Sequence, residues 1–228
     1  AERVEQMRRQ VLDNFSRWGY RLVIPPMIEF AESLLVGSGK DVDTHSFKLT
    51  AHISGRLMAA RADITPQVAR IDAHSLQRDG VNRLCYAGSV LHTRPKALLA
   101  SRCPIQVGAE LFGDASLNAD IEVISLMLDT VRVAGVERIT LDLGHVAIYR
   151  ALLDYVLADV DARDDIYDAL KRKSLPDVRE WVAQYVQDSA LAETLEALPN
   201  LCGDRSVLAE ARQLIGDKCE KAIQAIER

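Results

Sequence analysis

An amide, a carboxylate and a gap in the side-chain surface follow one another at alternate positions in "IQVGAELFG", residues 105–113. Apolar and polar residues alternate there, so the segment reads as a β-strand. Alternate strand side chains share a face, which puts Gln106, Gly108 and Glu110 together. With no side chain at Gly108, a small molecule could approach the sheet between the two polar groups. The same rule applied to "GSVLHTRP", residues 88–95, aims His92 and Arg94 one way. "RADITPQ", residues 61–67, adds Asp63 and Thr65 at the start of a helix. A carboxylate and a hydroxyl in that position can hold an ammonium group.

Each of these residues also has a plainer reading. Thr65 is a good N-cap, with Pro66 at the first helical position, where its missing N–H costs nothing. Asp63 then interacts with the helix dipole and Arg61 lies on the surface. Gln106 and Glu110 form a solvated strand face, with Ile105, Val107, Ala109 and Leu111 on the buried side. Arg102 is a surface arginine in the loop before that strand. Residue type and spacing leave both readings open.

Other motifs fail on their chemistry. "GSGK" at 37–40 is too short for a phosphate loop, and Asp41 stands where Ser or Thr is needed. "DVDAR" at 159–163 lacks the glycine and ligand pattern of a calcium loop. The five histidines make no H-x-x-x-H pair, and Cys85, Cys103, Cys202 and Cys219 make no C-x-x-C. No metal, no cofactor and no disulfide framework are therefore expected.

The elements that must carry the polar residues can be read from the pattern. Val4, Met7, Val11, Phe15 and Trp18 are spaced as one helical face, and Gly19 supplies a stop. "YRLVIPPMIEF" is a strand running into a double proline, which belongs at a sheet edge or turn. "HSFKLT" and "GRLMAARAD" form a hairpin, followed by a helix from Thr65 that ends at Gly80. The two strands quoted above come next, then a helix from about Leu117 to Val133 and a strand "RITLDLG" at 138–144. This order lacks β-α-β alternation, so an α+β fold with a mostly antiparallel sheet flanked by helices is expected. After Gly144 strand signals stop for more than fifty residues. The expected division is a core over 1–145, a helical insertion over 146–203, and helices over 204–228 returning to the core.

With 228 residues and 48% hydrophobic content, the chain can bury a sizeable core. Its net charge of -5 and pI of about 5.6 argue against nucleic acid as the main partner. No apolar run approaches the roughly 18 residues that span a bilayer, and no signal-like segment opens the sequence. A soluble, cytoplasmic protein without a membrane partner is expected.

Taken together, these segments resemble the core of class II aminoacyl-tRNA synthetases, in the histidyl branch. "GYRLVIPPMIE" is similar to motif 1, with Gly19, Tyr20, Pro26 and Glu29 at the expected spacing. "RADITPQVARI" stands where such synthetases carry R-P-E-G-T, with Asp63 for the Glu and Thr65 matching the Thr. Residues 88–113 match motif 2, ending in "QVGAELFG". The resemblance implies a class II synthetase-like core and, at Asp63, Thr65, Gln106 and Glu110, an amino-acid site. It also locates departures. At the motif 2 positions that meet the phosphate and the adenine stand His92 and Arg94. An imidazole is mostly neutral at pH 7 and lacks the guanidinium fork, and an arginine replaces an acceptor. These positions are degenerate, so synthetase chemistry is expected to be lost and the chain to be no enzyme itself.

That combination, with "GRLMAARADITPQVARIDAH" and "RLCYAGSVLHTRP", is similar to the ATP phosphoribosyltransferase regulatory subunits. This resemblance implies a non-catalytic partner of a short-form catalytic subunit in histidine biosynthesis. It implies a homodimer within a hetero-oligomer, and free histidine as feedback effector. An active histidyl-tRNA synthetase is the alternative, and an amino-acid-binding module with another partner is a third. No segment before Arg228 resembles motif 3 or the histidine-specific loop, and a complete core of this kind is expected to need that region.

Overall fold

The computed structural model describes residues 1–35, 46–95, 97–156, 158–216 and 219–227. The "GSGK" stretch lies outside the described residues. The chain divides into two compact units, Ala1–Thr140 and Leu141–Arg228.

The first unit opens with helix α1, Glu2–Arg17. Val11 and Phe15 are buried as the spacing predicts, while Val4, Met7 and Trp18 at the two ends of the stripe stay largely exposed. Gly19 takes a left-handed φ of +82°, the stop that its lack of a Cβ permits. Strand β1 (Arg21–Leu22) is cut short by the double proline, and the chain resumes as β2 (Ile28–Phe30) and α2 (Ala31–Leu35). Strands β3 (Lys48–Thr50) and β4 (Leu57–Ala60) pair antiparallel as the expected hairpin, and β2 joins the other side of β4.

Helix α3 covers Thr65–Arg70 and widens into a π-helical turn, Ile71–Leu76. It ends there, with Gln77 left-handed at φ 44°, short of the expected stop at Gly80. Strand β5 is Asn82–Ser89, β6 is Ile105–Phe112, and α4 is Leu117–Val133. Strand β5 thus starts six residues before the stretch that the alternation selected and leaves the ladder at Ser89. Beyond it, the Val90 and His92 amides still donate to the Pro104 and Arg102 carbonyls, at 3.0 and 2.8 Å.

The sheet holding the polar residues has the order β1-β5-β6, with β1 parallel and β6 antiparallel to β5. This agrees with the α+β, mostly antiparallel expectation. One face packs on α1 and α4 through Val11, Phe15, Tyr20, Cys85 and Leu126. The other packs on α3 through Ile64, Val68, Leu84, Tyr86 and Val90. Two expectations fail in this region. Ala109 does join the first face, but Ile105 and Val107 remain 47% and 39% exposed. Residues 138–144 form no strand, with Leu143 72% exposed. A strand needs a ladder partner for its N–H and C=O groups, and among the described residues none lies beside this stretch.

The second unit is helical: α5 (Val146–Leu153), α6 (Val160–Lys171), α7 (Leu175–Tyr185), α8 (Ser189–Ala197), α9 (Val207–Ile215) and α10 (Glu220–Glu227). Leu152, Ile166, Val178, Trp181, Leu195, Ile215 and Ala222 build its core. The apolar stripe of α9 and α10 closes the same cluster as α5. Among the described residues, no helix is long and apolar enough to cross a membrane.

Candidate functional site

Asp63, Thr65, Gln106 and Glu110 do meet. Pairing of β5 with β6 sets Tyr86 opposite Gly108 and Gly88 opposite Gln106 on the face that meets α3. Thr65 is not the N-cap. The N-cap is Ile64, and the Asp63 carboxylate accepts the Thr65 amide on Oδ1 at 3.1 Å. The Thr65 hydroxyl faces the sheet and donates to Glu110 Oε1 at 2.9 Å. Gln106 is locked at both ends: its Oε1 accepts the Ile64 amide at 3.0 Å and its Nε2 donates to Asp63 Oδ1 at 2.7 Å.

Tyr86, which alternation did not single out, stands at the centre. It is 3% exposed, its hydroxyl lies 3.0 Å from Thr65 Oγ1, and it donates to Glu110 Oε1 at 3.3 Å. The space at Gly108 is taken by this ring: a Cβ there would stand 2.3 Å from the Tyr86 hydroxyl. Gly108 therefore makes room for Tyr86, and ligand access over bare backbone is not what it provides. The signal was present in the sequence as a large residue one strand away from a glycine, but reading it requires the strand register.

The electrostatics of the cluster point to a cation. Both hydrogen bonds to Asp63 fall on Oδ1 and both to Glu110 on Oε1. Among the described residues, neither carboxylate forms an ion pair. Burial, with a smaller push from Asp63, raises the Glu110 carboxyl above the usual glutamate range. Burial also pushes the Tyr86 phenol up to about 12, so its proton stays available for donation. Two neighbouring carboxylates in a half-buried site favour an ammonium or an N–H donor through a reduced local dielectric. A separate cavity of about 530 Å³ opens near Arg9, Asp13, Tyr20 and Cys85 and contains none of these groups.

His92 and Arg94 do not act together. His92 is buried at 8% exposure, and its ring Nε2 donates to the Ala62 carbonyl at 3.0 Å. Arg94 is exposed. The last bond to the opposite strand is made by the His92 amide, so by Arg94 two-residue alternation no longer governs where the side chain goes. Arg61, read as a surface residue, is 7% exposed, while Arg102 is exposed as expected.

A family model described as "Histidyl-tRNA synthetase" matches residues 1–228. The chain belongs to the histidyl-tRNA synthetase family. Within it, the likeness is to proteins named ATP phosphoribosyltransferase regulatory subunit. Those of Saccharophagus degradans and Thioalkalivibrio sulfidiphilus are 51% and 53% identical over 227 residues, covering 100% of this chain. The chain spans 58% of the length of each of these relatives. A solved structure, an "ATP phosphoribosyltransferase regulatory subunit/histidyl-tRNA synthetase" from Bacillus halodurans, superposes with a TM-score of 0.84. It is 29% identical, with 99% of this chain and 58% of that one covered. A histidine–tRNA ligase subunit from Alicyclobacillus acidocaldarius shares the fold at TM-score 0.67 and 20% identity, over 100% of this chain and 72% of that one.

Proposed function

We propose that the full-length protein is a non-catalytic regulatory subunit of ATP phosphoribosyltransferase that binds free histidine as a feedback effector. It works in the cytoplasm with a short-form catalytic subunit, at the first step of histidine biosynthesis. The observation that carries this reading is the pair of carboxylates, Asp63 and Glu110, that form no ion pair among the described residues. The α-ammonium of histidine is held by Asp63, Thr65 and Gln106, and its imidazole N–H by Glu110. Loss of synthetase chemistry fits the same geometry. The His92 imidazole is already spent on the Ala62 carbonyl, and Arg94 faces solvent, so neither stands as a phosphate-neutralising guanidinium. Such a contact is commonly worth on the order of a hundredfold in rate.

Homodimers within the hetero-oligomer form along β1. It pairs on one side with β5, and Leu22 and Ile24 are 49% and 83% exposed. Feedback requires histidine to bind one assembly state better than another, since equal affinity shifts nothing.

The test is a histidine inhibition curve for the reconstituted full-length complex. Glu110→Ala removes a charge-assisted hydrogen bond worth about 1.5–3 kcal/mol, so the midpoint should rise roughly ten- to a hundredfold while the protein stays folded. An unchanged midpoint places the effector elsewhere. Histidine-dependent ATP–pyrophosphate exchange at a synthetase rate would overturn the regulatory reading.

A further inference from the structure

Arg61 is 7% exposed, yet its guanidinium serves neutral groups: Nε donates to the Ser89 carbonyl at 2.8 Å and Nη1 to the Pro25 carbonyl at 2.7 Å. Burial, partly offset by the charge of Glu29, makes it easier to deprotonate than an ordinary arginine. Burying a cation for the sake of two carbonyls costs free energy that a neutral amide would not. What the guanidinium does supply is a rigid fork that reaches two carbonyls on different chain segments at once.

Those segments frame the pocket. The Arg61 amide donates to the Met27 carbonyl at 3.0 Å, and its own carbonyl accepts the Leu91 amide at 2.9 Å. One residue on, the Ala62 carbonyl accepts His92 Nε2. At the far end of the stretch, Gln67, fully buried, donates from Nε2 to the Pro26 carbonyl at 2.8 Å. Residues 61–67 are thus tied at both ends to the Pro25–Pro26 turn, with Asp63 and Thr65 between the ties. Strand β5 is bare where the guanidinium lies, for a Cβ on Gly88 would stand 2.4 Å from Arg61 Nη2.

We propose that Arg61 is the positioning residue of this pocket: its fork sets Asp63 and Thr65 against the strand-borne Gln106 and Glu110, and ligand affinity depends on that tie without any contact between Arg61 and the ligand. The proposal rests on the reading of the pocket as a histidine site. Loosening a supporting contact by a fraction of an ångström is enough to weaken a site built from several convergent hydrogen bonds.

The experiment measures histidine binding by calorimetry, and inhibition of the reconstituted complex, for the full-length wild type, Arg61→Lys, Gly88→Ala and the double variant. Lysine keeps the charge but cannot span both carbonyls, so histidine affinity should fall about tenfold. Gly88→Ala alters none of the groups assigned to the ligand but must push Nη2 aside, and should weaken binding by a similar factor. In the Arg61→Lys background it should add less than about twofold, because both substitutions break one tie. A lower thermal midpoint with unchanged affinity in the folded variants would make Arg61 merely structural and overturn the proposal, as would two full effects that simply add. If Arg61→Lys does not fold, Gly88→Ala alone decides on the same readout. Wild-type protein that binds no histidine overturns the histidine reading itself, whereas wild-type binding with unaltered variants overturns the role of Arg61 alone.

Discussion

Each face of the β5–β6 hairpin meets a tyrosine hydroxyl bonded to a glutamate, and the two glutamates are in opposite electrostatic states. Toward α1 and α4, Tyr20 donates to Glu122 at 3.0 Å while Arg83 clasps the same carboxylate with two bonds of 2.6 Å. Arg83 holds the Glu122 carboxyl below the usual range. Toward α3, Tyr86 and Thr65 donate to Glu110, no cation joins them among the described residues, and burial raises that carboxyl. One glutamate is finished by the protein itself. The other has no cationic partner among the described residues.

The comparison can be broken in three places. The largest effect is expected from Gly108→Ala. Its Cβ would stand 2.3 Å from the Tyr86 hydroxyl, and the paired β6 backbone cannot retreat, so the ring must leave the cluster. Overpacking of this kind costs about 1–3 kcal/mol, and histidine affinity of the full-length protein should fall more than tenfold. Retained affinity by calorimetry would show that Tyr86 does not organise the site.

Arg83→Met attacks the other glutamate. Its side chain is 35% exposed and that of Glu122 21%, so solvent screening limits the loss to about 1 kcal/mol. For a chain of this length, that lowers the thermal midpoint by about 2–4 °C. Histidine binding should not change. If it does, the two faces are coupled and the contrast between them dissolves.

The smallest effect lies in the pH dependence of unfolding, where the two glutamates have opposite signs. Glu122 is depressed in the folded state, so its stabilisation is present above the ordinary value of 4.5 and is lost as pH falls below it through the depressed folded-state value. Glu110 is raised, so the folded protein holds its proton more tightly than the unfolded chain. Stability therefore declines as pH rises from 4.5 toward the raised value, and the penalty is complete above it. Denaturant titrations from about pH 3 to about pH 8 should show Glu110→Gln losing that decline while keeping the acid limb due to Glu122. Parallel curves for variant and wild type would mean that Glu110 is solvated like any surface carboxylate.

Much of this site was legible along the chain. Gln106 and Glu110 face one way because strand alternation is a local property, and Asp63 and Thr65 lie at a helix start because Pro66 marks one. The α+β class followed from element order, and the family from motif spacing. The helical second unit was visible as more than fifty residues without strand signals.

Tertiary structure decided what each group is used for. Whether the Thr65 hydroxyl caps its helix or faces the sheet depends on Glu110, 45 residues away, presenting a carboxylate to it, which spacing leaves open. Tyr86 fills the place of Gly108 because of register between residues 22 positions apart. Arg61 is buried because Pro25 and Ser89, both distant in sequence, present carbonyls to it. His92 and Arg94 part company because the last bond across the strand pair is made at His92, before Arg94, and among the described residues none pairs with 138–144. Periodicity and chain punctuation act over a few residues and are written in the sequence. The partner that satisfies a buried donor or acceptor is chosen by packing across the whole unit.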